Sequence, residues 1–94
     1  MSVLPAIATA VGAKASVLID GGFRRGSDVL KALCLGADAA LVTRPTLWGL
    51  SAYGADGVQT VIELMQTELA ADMAMLGAAN VGATAPEFVR IDRW

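Results

Sequence analysis

The chain contains no histidine and a single cysteine, Cys34, among its 94 residues. A disulfide framework and a Cys/His metal site within the chain are therefore excluded, and no imidazole can act as a general base. Seven basic residues face nine acidic ones and form no basic stripe, so nucleic acid is not an expected partner. No apolar run reaches the roughly 18 residues of a membrane-spanning helix, and we expect a cytoplasmic protein.

The chain is short and apolar. Its 94 residues make one domain at most, and they are far fewer than the ~250 residues of a complete (β/α)8 barrel. Hydrophobic residues make up 55% of the chain, a high share for a small domain, because small domains expose proportionally more surface. We therefore expect part of the apolar surface to contact another chain.

Two short apolar runs, 17–19 and 39–42, predict strands that are buried on both faces of a parallel sheet. Helical periodicity and glycine breaks predict the other elements. The N-terminal part has a first helix ending at Val11 and a second helix that starts at a Ser27 or Gly26 cap and ends at Gly36. The C-terminal part has a short helix over 46–53, a long helix over about 57–76 and a tail over 78–94. This alternation predicts an α/β fold with right-handed crossovers and parallel strands.

A loop rich in glycine or arginine follows each predicted strand. The first loop, 20–26, has two consecutive glycines, which let a backbone approach a ligand closely, and Arg24, which offers a planar fork of donors. The second loop, 43–46, has Arg44 just before a helix. Both loops leave the carboxyl ends of parallel strands, where α/β barrels hold phosphate with the help of helix N-termini. The pattern predicts a clamp in which both arginines meet one dianion.

Each loop also allows a plainer interpretation. The glycines of the first loop can serve an ordinary turn, with Arg24 solvated, and Arg44 can pair with a local carboxylate such as Asp38 or Asp56. Asp20 can accept hydrogen bonds from ligand hydroxyls, or it can hold its own turn through a bond to the backbone. Isolated aromatic residues at helical spacing are assigned to packing, and no metal site or catalytic residue is expected in the chain.

Two longer stretches resemble a known family. Residues 17–37, VLIDGGFRRGSDVLKALCLGA, and 44–54, RPTLWGLSAYG, closely resemble the FMN-dependent α-hydroxy-acid oxidase and dehydrogenase family, and the likeness continues over 73–77 and 86–90. The resemblance implies a partial (β/α)8 TIM barrel. Residues 1–94 would form a single C-terminal fragment of it, with about the last two βα units and the helix before them.

The resemblance also implies a cofactor, FMN, whose phosphate and ribityl end these loops would hold. Asp20, Gly22 and Arg24 match ligands of the first loop, and Arg44 matches an arginine of the second. The positions implied to bind FMN are Asp20, Gly21, Gly22, Phe23, Arg24, Thr43 and Arg44. Thr43 stands where the family usually has glycine.

The family's activity is the oxidation of a 2-hydroxy acid to a 2-oxo acid with flavin as acceptor. Its histidine base and substrate-binding arginine belong to a loop that precedes the part matched here, so the resemblance implies that this chain alone is catalytically incomplete.

Expected partners are FMN or phosphate, and either further copies of the chain or a complementing N-terminal fragment. The alternatives are a non-enzymatic, self-assembling α/β module with a vestigial phosphate site and another phosphate-binding barrel family.

Overall fold

The computed structural model describes residues 1–91. The helices are α1 (Leu4–Val11), α2 (Gly26–Cys34) and α3 (Arg44–Leu76), the strands are β1 (Leu18–Asp20) and β2 (Ala39–Leu41), and 3-10 turns cover Gly12–Lys14, Val81–Ala83 and Pro86–Phe88. The predicted tail 78–94 is thus described as far as residue 91, and its last three positions lie outside the described residues.

The two strands pair in parallel, with Ile19 opposite Ala40 and Asp20 opposite Leu41. Helix α2 connects them, which confirms the predicted α-β-α-β order and the parallel pair. Because parallel strands end at the same edge of a sheet, the loops that follow Asp20 and Leu41 start side by side. This juxtaposition creates the candidate site.

Only one face of this sheet is covered. Ile19 and Ala40 pack against a core cluster formed by Leu4, Phe23, Ala32, Leu35 and Ala37. On the other face Leu18 is 60% exposed and Leu41 is 49% exposed. The prediction of strands buried on both faces is therefore wrong for the part of the chain that the structure describes, because residues 1–91 contribute no second layer over Leu18 and Leu41.

Helix α3 consists of two helical halves. Tyr53 and Gly54 depart from helical geometry, and Gly54 has a φ of 61°, which a residue without a Cβ adopts at little cost. The predicted short and long helices are confirmed in outline, although the first half starts earlier, at Arg44. Gly57, at the predicted start of the long helix, lies within the second half and packs against Gly49 of the first.

The two ends of α2 can be compared with the predicted cap and stop residues. Arg25, rather than Ser27 or Gly26, is the N-cap residue, so that predicted cap is wrong. Gly36, with a φ of 101°, follows the end of the helix as predicted. Cys34 is buried in a second cluster with Leu30, Met73 and Ala78, which joins α2 to the C-terminal end of α3.

Candidate functional site

A pocket of about 270 Å³ opens at the carboxyl ends of β1 and β2. Its lining comes from both predicted loops and the end of β2: Asp20, Gly21, Gly22, Phe23, Leu41, Thr43 and Arg44. Every predicted site residue except Arg24 is in this lining. The fold therefore brings together two loops that are separated in the sequence by the whole of α2.

The first loop turns at Gly21 and Gly22, whose φ values are 103° and 82°. Apart from the chain neighbours, no atom of residues 1–91 lies within 4 Å of where a Cβ would stand at either position, so the backbone conformation, and not crowding, requires glycine here. The next side chain, Phe23, is only 4% exposed and belongs to the core. The loop is thus anchored by Phe23 and presents a bare backbone to the pocket.

Asp20 ends β1 and is exposed at the pocket wall. Among residues 1–91 no hydrogen bond or ion pair engages its carboxylate, so the structure does not support the interpretation in which Asp20 holds its own turn. A carboxylate at this position is free to accept hydrogen bonds from ligand hydroxyl groups.

Arg44 is the first residue of α3 and lines the pocket. The alternative in which Arg44 pairs with Asp38 or Asp56 is not observed: within the described part of the chain the ion pair is Arg25–Glu68, and the carboxylate of Asp38 accepts a hydrogen bond of 2.6 Å from the N–H of Val17. No carboxylate of residues 1–91 neutralises the Arg44 guanidinium, which leaves a full positive charge at the pocket.

The backbone around Arg44 adds further donors. Thr43 has a φ of −113°, so this position does not require glycine, and its carbonyl accepts hydrogen bonds from Thr46 Oγ1 at 2.7 Å and Leu47 N at 3.1 Å. Pro45 has no N–H. The N–H groups of Arg44 and Thr46 find no backbone or side-chain acceptor within residues 1–91. These groups give the start of α3 the character of an anion site.

The start of α2 differs from this arrangement. One carboxylate oxygen of Asp28 accepts hydrogen bonds from the N–H groups of Arg24 and Arg25, each 3.1 Å long, and Glu68 accepts one of 2.7 Å from Gly26. Among residues 1–91 only the N–H of Ser27 at this helix start has no acceptor, so the prediction that the helix offers free N–H groups to a phosphate is wrong for the others. Two carboxylates of the chain itself already occupy its N-terminus.

Arg24 extends away from the pocket lining. The central carbon of its guanidinium lies 5.7 Å from the centroid of the Trp48 ring, a cation–π contact. Sequence reasoning assigned Trp48 only to packing, although its place one helical turn after Arg44 on α3 was a usable signal. The structure thus brings Arg44, but not the guanidinium of Arg24, to the pocket wall.

Residues 1–91 contain no cluster of His, Cys, Asp and Glu side chains suited to a metal ion. Across the same residues, no helix combines the length and the apolar character needed to cross a membrane.

A family model described as FMN-dependent dehydrogenase matches residues 1–91. An L-lactate oxidase from Nostoc sp. is 51% identical over 81 residues, which cover 86% of this chain and 22% of that protein. The 2-hydroxyacid oxidase 1 of Homo sapiens is 48% identical over 90 residues, which cover 96% of this chain and 24% of that protein.

Solved structures show the same likeness. An oxidized active mutant of (S)-mandelate dehydrogenase superimposes with a TM-score of 0.86 at 40% identity, covering 97% of this chain and 25% of that one. A mandelate oxidase variant with a monooxide FMN adduct gives 0.86 at 47% identity, covering 88% of this chain and 26% of that one. The chain thus spans about a quarter of the length of the relatives that it matches.

Proposed function

Since the chain belongs to the FMN-dependent dehydrogenase family, we propose that it supplies the FMN-phosphate-binding part of an enzyme that oxidises a 2-hydroxy acid to a 2-oxo acid. The observation that carries this proposal is the pocket at the ends of β1 and β2, where Arg44 has no carboxylate partner within residues 1–91. The family match is evidence against another phosphate-binding barrel family. None of the relatives described above supports the self-assembling module.

The donors and acceptors of the pocket fit the phosphate and ribityl end of FMN. Arg44 and the N–H groups at the start of α3 suit a phosphate dianion, since charge-assisted hydrogen bonds are the strong ones. Gly21 and Gly22 leave open space beside the backbone, which a ligand can approach. Asp20 would accept hydrogen bonds from the ribityl hydroxyls. When bound, FMN supplies the electron acceptor for the oxidation.

Arg24 would complete this arrangement by a change of side-chain direction. Its contact with the exposed Trp48 is worth about 0.5–1 kcal/mol, whereas a hydrogen bond to a charged group is worth about 1.5–3 kcal/mol. This difference in free energy favours a hydrogen bond between Arg24 and a phosphate over the contact between Arg24 and the Trp48 ring. We therefore infer that Arg24 leaves Trp48 and joins Arg44 when a phosphate occupies the pocket, as the sequence predicts.

The remaining catalytic groups would come from outside this chain. It has no histidine, so a histidine base must be contributed elsewhere. The uncovered sheet face with Leu18 and Leu41 suits the inward-facing wall of a barrel whose other strands correspond to the part of the relatives that this chain does not match. We propose that residues 1–94 bind the cofactor's phosphate and are catalytically incomplete without that part.

Titration with two flavins tests the cofactor assignment. We expect FMN to bind this chain at least about tenfold more tightly than riboflavin, which has the same ring but no phosphate, because Arg44 and the start of α3 contact only the phosphate. Flavin fluorescence or calorimetry measures both dissociation constants. Inorganic phosphate should compete with FMN and not with riboflavin. Equal affinities for the two flavins would contradict the proposal.

Complementation tests the missing-barrel assignment. We expect this chain to associate with the N-terminal three quarters of a relative such as human 2-hydroxyacid oxidase 1, and to restore its flavin-dependent oxidation. Leu18→Lys should weaken the association about tenfold or more, because it places a charge on the uncovered sheet face. Val81→Lys is the matched control, since Val81 is 53% exposed but lies in the 3-10 turn Val81–Ala83, outside the sheet. Similar loss in both variants would argue against this face as the contact.

A further inference from the structure

We propose that Glu68 of α3 is a positioning residue for the phosphate site, an inference that rests on the function proposed above. Its two carboxylate oxygens hold the end of the first loop: Oε1 accepts a hydrogen bond of 2.8 Å from Arg25 Nε, and Oε2 accepts one of 2.7 Å from the N–H of Gly26. Glu68 lies more than forty residues along the chain from both partners, so only the fold brings them together.

Packing at Gly26 places the loop directly on α3. Gly26 is buried, and a Cβ there would meet the backbone N of Leu69, the carbonyl oxygen of Met65 at 2.5 Å and the Cβ of Glu68 at 2.6 Å. A side chain at this position would push α2 away from α3. The Glu68 carboxylate therefore binds the loop where two backbones already touch, which makes its distance from the loop well defined.

Besides the hydrogen bonds from the N–H groups of Arg24 and Arg25 to the Asp28 carboxylate, the segment between β1 and α2 is held at three points. Asp20 belongs to the strand pair, Phe23 is buried in the core, and Gly26 is bound by Glu68. Gly21 and Gly22 lie between the first two points, and Arg24 lies between the last two. Loss of the Glu68 contact would release Arg25 and Gly26 at the end of the loop and let the adjacent Arg24 drift from the position that the pocket requires.

Glu68 also separates the roles of two adjacent arginines. Arg25 pairs with Glu68, whereas Arg24 contacts no carboxylate within residues 1–91 through its side chain. Arg25 is 70% exposed, and an exposed ion pair contributes little to stability by itself. The pair instead directs Arg25 toward α3 and leaves Arg24 as the arginine of this loop that can reach a phosphate.

The test compares Glu68→Ala and Glu68→Gln with the wild-type chain, using FMN and riboflavin as probes. We expect Glu68→Ala to weaken FMN binding about tenfold and to change riboflavin binding less than about twofold, because the loop positions only the phosphate contacts. Glu68→Gln should give an intermediate loss, since its amide oxygen can still accept the Gly26 hydrogen bond. Glu63→Ala is the matched control: among the described residues, the side-chain carboxylate of this glutamate of α3 accepts a hydrogen bond only from Gln59 Nε2.

Each outcome distinguishes the two proposals. If wild type binds FMN and riboflavin equally, the proposed function fails, and the role of Glu68 fails with it. If wild type prefers FMN and Glu68→Ala prefers it equally strongly, or loses both flavins in proportion, only the positioning role is overturned. Far-UV circular dichroism monitors folding. If Glu68→Ala does not fold, the FMN to riboflavin ratio of Glu68→Gln decides, because glutamine preserves the shape of the side chain.

Discussion

Arg44→Ala should weaken FMN binding by about 100-fold and leave riboflavin binding nearly unchanged. A hydrogen bond to a charged group contributes about 1.5–3 kcal/mol, and a guanidinium that binds phosphate through two donors reaches the upper part of that range. Arg44 lines the pocket and has no carboxylate partner within residues 1–91, so its whole charge is available to the ligand. Calorimetric titration of each variant with both flavins measures the change.

Two further variants make this result specific. Lys14→Ala also removes one positive charge, but from the 3-10 turn after α1 and outside the pocket lining, so it should leave both dissociation constants unchanged. Arg44→Lys preserves the charge without the planar fork and should fall between wild type and Arg44→Ala. A loss in Lys14→Ala as large as in Arg44→Ala would mean that net charge, and not the site, governs binding.

Gly49→Ala should lower the free energy of unfolding by about 3 kcal/mol, at the upper end of the typical cost of overpacking. The two halves of α3 meet at Gly49 and Gly57, where a Cβ on Gly49 would overlap the carbonyl oxygen of Gly57 and lie 2.7 Å from its carbonyl carbon. Backbone atoms cannot rotate away as a side chain does, so the two halves must separate. Urea unfolding followed by circular dichroism measures the loss.

The same variant should also weaken FMN binding, because Arg44 begins the half of α3 that would be displaced. Gly82→Ala is the matched control. Its nearest neighbour would be Asn80 Oδ1 at 3.2 Å, and that side chain can move at little cost. We therefore expect Gly82→Ala to change the free energy of unfolding by less than about 0.5 kcal/mol. Similar stability of the two variants would show that the contact between the halves tolerates a methyl group.

Much of the fold follows from local patterns. Apolar runs and the glycines after them predict the two strands, their parallel order and the end of α2, because these features depend on neighbouring residues. The break in α3 near Gly54 is confirmed for the same reason. The close packing of Gly57 against Gly49 is not visible in the sequence, since a glycine that borders a turn and a glycine needed for close helix packing look alike there.

The candidate site also has features that local motifs predict and features that depend on tertiary contacts. Local motifs and the family resemblance predict seven site residues in the two loops, and the pocket lining contains all seven except Arg24. Local motifs cannot show which arginine faces the pocket, because the directions of Arg24 and Arg25 depend on Trp48 and Glu68 of α3. The free N-terminus expected at α2 is lost for a related reason: Glu68 reaches it from the far side of the fold.

The amino-acid sequence alone was enough to identify the family, the alternation of helices and strands, and the pair of loops that suits a phosphate. These features depend on short sequence motifs and on local backbone preferences. Which donors remain available depends on the assembled fold: within residues 1–91 the Arg44 guanidinium has no carboxylate partner and the N–H groups of Arg44 and Thr46 have no acceptor, whereas Asp28 and Glu68 accept hydrogen bonds at the start of α2. A donor forms a hydrogen bond with an acceptor that lies close to it, and tertiary packing decides which acceptors from distant segments lie close to each donor.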